Sequence, residues 1–193
     1  MARDIKRVLM NSAQLYLGAS GDFDDLSNIE TLLESSKNKI LGISEDGITV
    51  KIAVDKRDIA FAGKLDRAIK GNETIISWSG SVEGTILALS DELLEASLMN
   101  KGSDIGTTSK LTQFNLQGVG FIPDEKYYDL LVLGKTHENK PAILVVKNTY
   151  NESFELETKD KEDGKVKVVF NSHYDDIDSD TPPFKLYLPS TTV

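Results

Sequence analysis

Hydrophobic and polar residues alternate along much of the chain, and a period of two is typical of strands with one face in a core. The clearest example is residues 74–89, where Ile76 and Trp78 belong to an apolar face and mostly hydroxyl-bearing residues form the other. Gly80 and Gly84 interrupt the apolar face and predict a bend, a bulge or a close backbone crossing. Further strands are predicted at residues 13–17, 48–54, 127–133, 141–147, 153–158, 165–171 and 184–188.

Turn residues separate these strands. Asp46-Gly47 and Asp163-Gly164 predict hairpins, because aspartate and glycine tolerate the positive φ that a tight β-turn requires. Residues 137–140 predict the connection of another hairpin. The glycine-containing segments 18–21 and 118–120 lack the flanking residues of phosphate-binding loops and are also predicted to be turns.

A well-capped helix is predicted between two of the strands. Ser90 is a typical N-cap and acidic residues follow it, so a helix is expected over residues 91–99. Leu94 and Leu98, one turn apart, are expected to be buried where the helix covers an open edge or end of the sheet. The helix is expected to end at residues 100–102, where Asn100 and Gly102 stand.

The fold class follows from the predominance of strands: mainly β with a minor α contribution, a β-sandwich or barrel-like domain flanked by one α-helix. Ser27 opens a capping box for a second, weaker helix, which leaves the class unchanged. The sequence has no internal repeat and no proline-rich linker, so residues 1–193 are expected to form a single domain.

The charge balance is acidic, with 22 Lys and Arg against 31 Asp and Glu, a net charge of -9. Such a surface repels phosphate backbones, which disfavours sequence-specific DNA or RNA binding. The absence of cysteine excludes disulfides and thiolate chemistry, and two histidines are too few for a histidine-rich metal centre. No apolar run approaches the roughly 18 residues of a membrane-spanning helix, and none forms a secretory signal. We therefore expect no cofactor, no metal and no membrane insertion.

Two acidic clusters are candidates for metal binding. The Asp-x-Asp-x-Asp spacing of residues 176–180 is the one with which a calcium-binding loop opens. Thr181 and Tyr187, however, stand where such a loop needs glycine and a bidentate glutamate. A solvated acidic loop is the better interpretation, and residues 22–25 are interpreted as a solvated acidic turn.

His173, near Asp175, is a candidate general base for a hydrolase. No serine nucleophile motif accompanies it, so we interpret His173 as closing a strand by hydrogen bonding and expect no enzyme. His137 receives no role. Trp78 and the Tyr127-Tyr128 pair are expected in the core or an interface, because no basic groove accompanies them.

One segment departs from the acidic background. Residues 56–70 carry five basic and two acidic side chains, a net +3, together with apolar residues. This basic segment is either a solvated loop or a surface that docks onto the acidic surface of another copy, where charge complementarity sets register and encounter rate. The candidate contact residues are Lys56, Arg57, Lys64, Arg67 and Lys70.

Several segments carry a resemblance when they are taken in chain order. They are the strand NSAQLYLG, the strand pair LGISEDGITVKIAV, a charged loop with Gly63 and Lys70-Gly71, the strand with Trp78, and the helix SDELLEASL. The C-terminal segment VVFNSHYDDIDSDTPPFKLYLP contributes most, through Phe170, His173, Asp175, Pro183, Phe184, Tyr187 and Pro189. Together these segments resemble the major tail (tail tube) proteins of long-tailed, non-contractile bacteriophages, and residues 22–40 resemble them least.

The resemblance implies a structural role: hexameric rings that stack into the hollow tail tube through which viral DNA is ejected. The implied partners are other copies of the chain, other phage tail proteins, and DNA that passes through the lumen non-specifically. The implied location is the virion tail, after synthesis in the host bacterial cytoplasm. Residues 56–72 would be the stacking loop, and residues 1–10 and 189–193, which look unpaired, would be terminal arms. An acidic wall suits such a conduit, because like charge lowers the adhesion of DNA.

A β-sandwich binding module for a glycan or a cell surface is the alternative function. Such a module presents an aromatic platform on an exposed sheet face. Trp78 is instead predicted on the apolar face of its strand, which favours burial and therefore the structural role.

Overall fold

The computed structural model describes residues 9–26, 39–58, 70–87, 89–106, 110–136, 140–158, 160 and 163–189. Within these ranges the chain is mostly strand with one short helix, which confirms the predicted fold class. The strands are β1 (Leu9–Ala19), β2 (Lys39–Asp58), β3 (Glu73–Ile86), β4 (Met99–Ile105), β5 (Leu111–Leu116), β6 (Tyr128–Thr136), β7 (Pro141–Glu157), β8 (Lys165–Asn171) and β9 (Phe184–Tyr187). Helix α1 (Asp91–Ala96) precedes β4, and a 3₁₀ turn (Asp124–Lys126) precedes β6.

Six strands form a closed sheet. The order β6-β1-β2-β3-β8-β7 is joined by a further pairing of β6 with β7, and β9 adds to the edge of β7. Two long strands pair with different neighbours of the closed sheet along different parts of their length. Residues 39–43 of β2 pair with β1, and residues 44–58 pair with β3. Residues 141–149 of β7 likewise pair with β6, and residues 150–157 with β8. This closed sheet encloses the core, while β4 and β5 form a separate two-stranded hairpin.

The core lies inside the closed sheet and takes alternate residues from its strands, as a pleated strand requires. Its fully or nearly fully buried members are Leu15, Leu17, Leu41, Val82, Ile86, Leu93, Ala96, Leu130, Val132, Leu144, Val146, Val166, Val168 and Phe170. A second, smaller cluster on the outer face packs Phe23 from the turn after β1 against Tyr16, Leu131, Ile143 and Val145. The alternating pattern of the sequence therefore becomes two apolar layers, one on each face of β1, β6 and β7.

The two ends of the closed sheet differ. Because neighbouring strands are antiparallel, β2 ends and β3 begins at the same end where β6 ends and β7 begins. We call this the arm end. β3 ends and β6 begins at the opposite end, where α1 packs Leu93 and Ala96 into the core. We call this the helix end.

Most predicted strands are confirmed, and residues 141–147 and 153–158 turn out to be one strand, β7. The hairpin predicted at residues 137–140 is confirmed, because β6 pairs with β7. β7 also pairs with β8, but residues 158–164 connect the two strands and Gly164 lacks a positive φ, so the tight turn predicted at Asp163-Gly164 is wrong. The hairpin predicted at Asp46-Gly47 is wrong: β2 continues through it, and the register with β3 shifts between Ser44 and Ile48. Gly47 has the expected positive φ of 86°, but uses it in a bulge.

The predicted helix is correct at its start and wrong at its end. Ser90 caps it, since its Oγ accepts a hydrogen bond from Leu93 N at 3.2 Å. The helix ends at Ala96, because Ser97 Oγ donates to Leu93 O and Leu98 adopts a positive φ of 57°. The buried pair is accordingly Leu93 and Ala96, and not Leu94 and Leu98, which are only half-buried. Residues 100–102, expected to end the helix, belong to β4.

Other predictions concern the ends of the chain and residues outside the described ranges. Leu9 and Met10, expected to be unpaired, pair with Thr136 and Lys135 of β6, so part of the predicted N-terminal arm is strand. The rest of that arm, residues 190–193, the helix from Ser27 and His137 lie outside the described residues. In the ranges described, no helix has the length and apolar character needed to cross a lipid bilayer.

Candidate assembly surface

β2 and β3 run past the closed sheet at the arm end. β8 pairs with β3 only along residues 81–86, and β1 pairs with β2 only up to residue 43. Residues 51–58 of β2 and 73–79 of β3 continue beyond those neighbours as a two-stranded ribbon, which we call the arm. All of residues 51–58 are exposed. A ribbon of this kind has an unprotected edge, which another chain can use for pairing or packing.

The arm is apolar on one face, as the alternation of residues 48–54 predicts. Ile52 and Val54 lie on this face, and Val50 continues it just before the arm begins; Trp78 of β3 is paired with Val54. Their side chains are 38%, 43% and 42% exposed. Trp78 is half-buried and meets Phe184 edge to face, with ring centroids 6.0 Å apart. Contiguous exposed apolar side chains of this kind mark interaction surfaces in soluble proteins.

The base of the arm forms one wall of an apolar groove of about 390 Å³. The opposite walls come from β6, β7 and β9, and Leu186 and Leu188 at its rim are 62% and 41% exposed. Most of the lining is aliphatic: Ala13, Ile48, Val50, Ile52, Val132, Ala142, Ile143, Leu144, Leu186 and Leu188. The groove is continuous with the core through Val132 and Leu144, so it is an opening of the core at the arm end.

A close backbone approach positions this opening. A Cβ built on Gly80 would lie 3.3 Å from both Phe184 Cδ1 and Ser172 Oγ. Ser172 N donates to Gly80 O at 2.8 Å, and Gly80 N donates to Ser172 Oγ at 2.9 Å. A bend, a bulge or a close backbone crossing was predicted at Gly80 and Gly84. Of these alternatives a close approach is found at Gly80, where β3 leaves the closed sheet, whereas a Cβ on Gly84 would meet Ile48 only at an ordinary contact distance of 3.6 Å.

The basic segment starts on the arm. Lys56 and Arg57 lie near its free end and are exposed, and Lys70 is exposed three residues before β3 begins. Lys64 and Arg67 lie outside the described residues. Lys56 Nζ lies 2.6 Å from Glu73 Oε1 on the facing strand, and this hydrogen bond raises the pKa of Lys56. Part of the positive charge is therefore already paired within the arm.

The acidic turn at residues 22–25 has structural contacts that sequence reasoning missed. Asp24 accepts hydrogen bonds from Lys147 and Lys185, and the one from Lys147 lowers the pKa of Asp24. Asp22 Oδ2 accepts from Ala19 N at 3.0 Å. The lysines lie more than 120 residues away in the chain, so no local pattern indicates these contacts.

Asp129 is fully buried beside this turn. Its carboxylate accepts hydrogen bonds from Gly21 N at 2.8 Å and from Asn148 N at 3.1 Å. Burial raises the pKa of Asp129 despite these two donors. Asn148 has a positive φ of 50°, so the carboxylate holds a strained point of β7 against the turn after β1.

His173 has the structural role predicted for it. Its Nδ1 lies 2.8 Å from Asn148 O, and because a carbonyl only accepts, Nδ1 carries the donated proton. The imidazole stacks on Tyr150 with centroids 5.1 Å apart and meets Tyr127 edge to face at 5.4 Å. The acids of residues 175–180 are exposed, as predicted for a solvated loop. The part of the chain that the structure describes contains no group of three or more acidic or histidine side chains arranged to hold a metal ion.

A second exposed apolar feature lies between β5 and β6, and the sequence reading missed it. Val119 and Phe121 in residues 117–122 are fully exposed. We call these residues the apolar loop. Its ends are fixed near the helix end, by a 2.8 Å hydrogen bond from Gln117 N to Leu98 O and by the 3₁₀ turn that precedes β6. The only signal in the sequence is that apolar residues alternate with Gly118 and Gly120, a pattern read there as a turn.

No protein-family model and no curated protein matches the chain. Among solved structures, a chain from the tail of an empty GTA particle, refined with C6 symmetry, has 8% identity and a TM-score of 0.39 over 81% of this chain and 89% of that one. A chain from the six-fold symmetrised baseplate of the anti-feeding prophage has 6% identity and a TM-score of 0.42, over 93% of this chain and 95% of that one. Because both TM-scores are low, we infer neither a common fold nor a function from these similarities.

Proposed function

We propose that the chain is a structural subunit of a phage-type virion tail, and that copies of it assemble into stacked rings, with six subunits each, that form a tail tube. The arm is the observation that carries this proposal. It projects from a closed sheet, and it is apolar on a face that no described residue of its own chain covers fully. Such a face gains stability when another protein covers it.

The sequence resemblance indicates which kind of assembly the chain would form. In tail tube proteins a long loop between strands stacks one ring on the next, and the basic segment occupies a comparable place in the chain order. We propose that Arg57, Lys64, Arg67 and Lys70 contact the acidic surface of a neighbouring copy, while Lys56 mainly holds the arm together through Glu73. The net charge of -9 suits a lumen through which DNA passes without adhering.

Charge reversal tests the role of the basic segment. The double variant Lys64→Glu and Arg67→Glu is expected to remain folded and to lose ring stacking, because two attractive contacts become repulsive. Negative-stain microscopy and sedimentation velocity of concentrated protein measure assembly, and circular dichroism checks folding. The control Lys110→Glu reverses an exposed lysine outside the basic segment and should assemble like the wild type.

Two outcomes distinguish the proposed structural role from the contacts proposed for the basic segment. Normal tubes from the Lys64 and Arg67 variant would overturn the stacking role of the basic segment. Wild-type protein that stays monomeric at all accessible concentrations, alone and with the other tail proteins of its source added as initiators, would overturn the structural role itself. A monomer would favour a binding module, for which a glycan array is the direct assay.

A further inference from the structure

The apolar groove needs an occupant that is apolar and small. Its volume is about 390 Å³, and the side chains at its mouth, Val50, Ile52, Leu186 and Leu188, are between 38% and 62% exposed. Apolar surface at the opening of a core is stabilised when a partner's side chains replace water there. The dimensions suit one or two inserted side chains and exclude a whole helix, which is about 10 Å across.

The apolar loop offers side chains of this kind. Phe121 and Val119 are 100% and 111% exposed, so neither fills the groove of its own chain. A Cβ built on Gly118 or Gly120 would meet nothing within 4 Å, so the loop stands clear of its surroundings. The loop therefore has free space around it and two large side chains without a described neighbour.

The two features lie toward opposite ends of the closed sheet. The groove is lined by Gly134 and Ala142, where β6 ends and β7 begins, while the loop is anchored near Leu98 and leads into the start of β6. From Tyr128 to Gly134 the strand covers about 20 Å, at roughly 3.3 Å for each residue. A contact between different patches at opposite ends is heterologous, the type that builds rings or stacks.

We propose that the apolar loop of one copy inserts Phe121 into the apolar groove of a neighbouring copy. The inference rests on the proposed self-assembly and adds the pair of surfaces that meet. Phe121 is the anchor and Val119 the flanking contact, since an aromatic side chain at the centre of a contact dominates its energy. The basic segment then sets orientation, and the groove holds the copies together.

Cross-linking tests this pairing directly, because the chain has no cysteine of its own. The variants Val119→Cys, which keeps the anchor Phe121, and Leu186→Cys are prepared separately, mixed under assembly conditions and oxidised. Docking places the two thiols within disulfide reach, so the mixture should give at least about tenfold more covalent dimer than either variant alone. The matched control mixes Leu186→Cys with Ile177→Cys, whose site is 96% exposed but lies in the acidic loop.

A second pair of variants measures the contribution of the loop. Phe121→Ser should raise the protein concentration needed for assembly about tenfold, since burial of one large apolar side chain is lost. Leu156→Ser, at a site 50% exposed on β7, should leave that concentration unchanged. Each variant is compared with the wild type by thermal unfolding.

The outcomes distinguish this inference from the function on which it rests. Assembled tubes without the cross-link between positions 119 and 186, or with equal cross-linking in the control mixture, overturn the docking and leave the structural role intact. Wild-type protein that does not assemble at all, even with the other tail proteins of its source added as initiators, overturns both. Selective cross-linking together with the shift caused by Phe121→Ser supports the pairing.

Discussion

The buried carboxylate of Asp129 gives the sharpest prediction about what holds the fold together. It connects the turn after β1 to a strained residue of β7, through Gly21 N and Asn148 N. Replacement by alanine leaves both amide groups without an acceptor in a site that has no exposed surface. Each unsatisfied buried donor costs about 1–3 kcal/mol, so we expect Asp129→Ala to lower the free energy of unfolding by about 2–5 kcal/mol.

The conservative variant Asp129→Asn should lose only part of this stability. In Asp129→Asn the side chain keeps one acceptor oxygen, while its amide group faces the other backbone N–H. We therefore expect a loss of about 1–3 kcal/mol, close to half that of alanine. Urea unfolding followed by circular dichroism measures both variants, with the exposed Asp178→Ala as the matched control. The control should lie within about 0.5 kcal/mol of the wild type.

The difference in stability between the wild type and Asp129→Asn should change with pH in one direction. Burial raises the pKa of Asp129, so between the ordinary aspartate pKa and the raised one the folded protein binds more protons than the unfolded chain. The stability contributed by this group is fully present below the ordinary pKa and is lost as pH rises through the raised value. Asparagine does not titrate, so the stability gap between wild type and Asp129→Asn should shrink from about pH 4 upward.

Two results would refute the reasoning about Asp129. An Asp129→Ala protein as stable as the wild type, with an unchanged dependence on urea, would mean that the two amide groups find other acceptors. A stability gap that widens with rising pH would mean that hydrogen bonding, and not burial, dominates the pKa of this carboxyl.

Two further predictions concern packing and capping. Gly18→Ala should lower the free energy of unfolding by about 1–3 kcal/mol, because its Cβ would lie 2.9 Å from two ring atoms of the buried Phe23. Gly118→Ala, whose Cβ would meet nothing within 4 Å, is the control, and equal stability of the two variants would contradict the clash. Ser90→Ala should cost about 1 kcal/mol by removing the acceptor for Leu93 N, whereas Ser79→Ala on the exposed face of the arm should cost nothing measurable by thermal unfolding.

Local patterns predicted the elements that depend on local chemistry. The alternation of β3 and the cap at Ser90 are properties of a few consecutive residues, and both are confirmed. Gly80 on an apolar face indicated a bend, a bulge or a close backbone crossing, and the structure has a close approach there. The apolar alternation of residues 48–54 likewise predicted the strand, although not that its apolar face would be partly exposed.

The missed features depend on distant residues. Aspartate followed by glycine permits a positive φ, but whether Gly47 turns the chain or bulges within β2 depends on the partner strand, which lies almost 40 residues away. The pairings of β1 with β6 and of β3 with β8, without which the sheet would not close, join residues far apart in the chain, as do the contacts of Asp129 and Asp24. The apolar loop escaped notice because no periodicity connects Val119 and Phe121 to any element.

The charge of the chain determines which kinds of contact can drive assembly. Copies with a net charge of -9 repel one another at long range, and salt screens this repulsion beyond about 8 Å at physiological ionic strength. Attraction must therefore be short-ranged, which favours apolar burial over surface ion pairs that contribute little on their own. The arm fits this requirement: Lys56 is paired within it by Glu73 and Lys51 is paired with Glu83 farther along β3, while the face that carries Ile52 stays available. Charge then selects orientation, and apolar surface supplies the stability of the assembly.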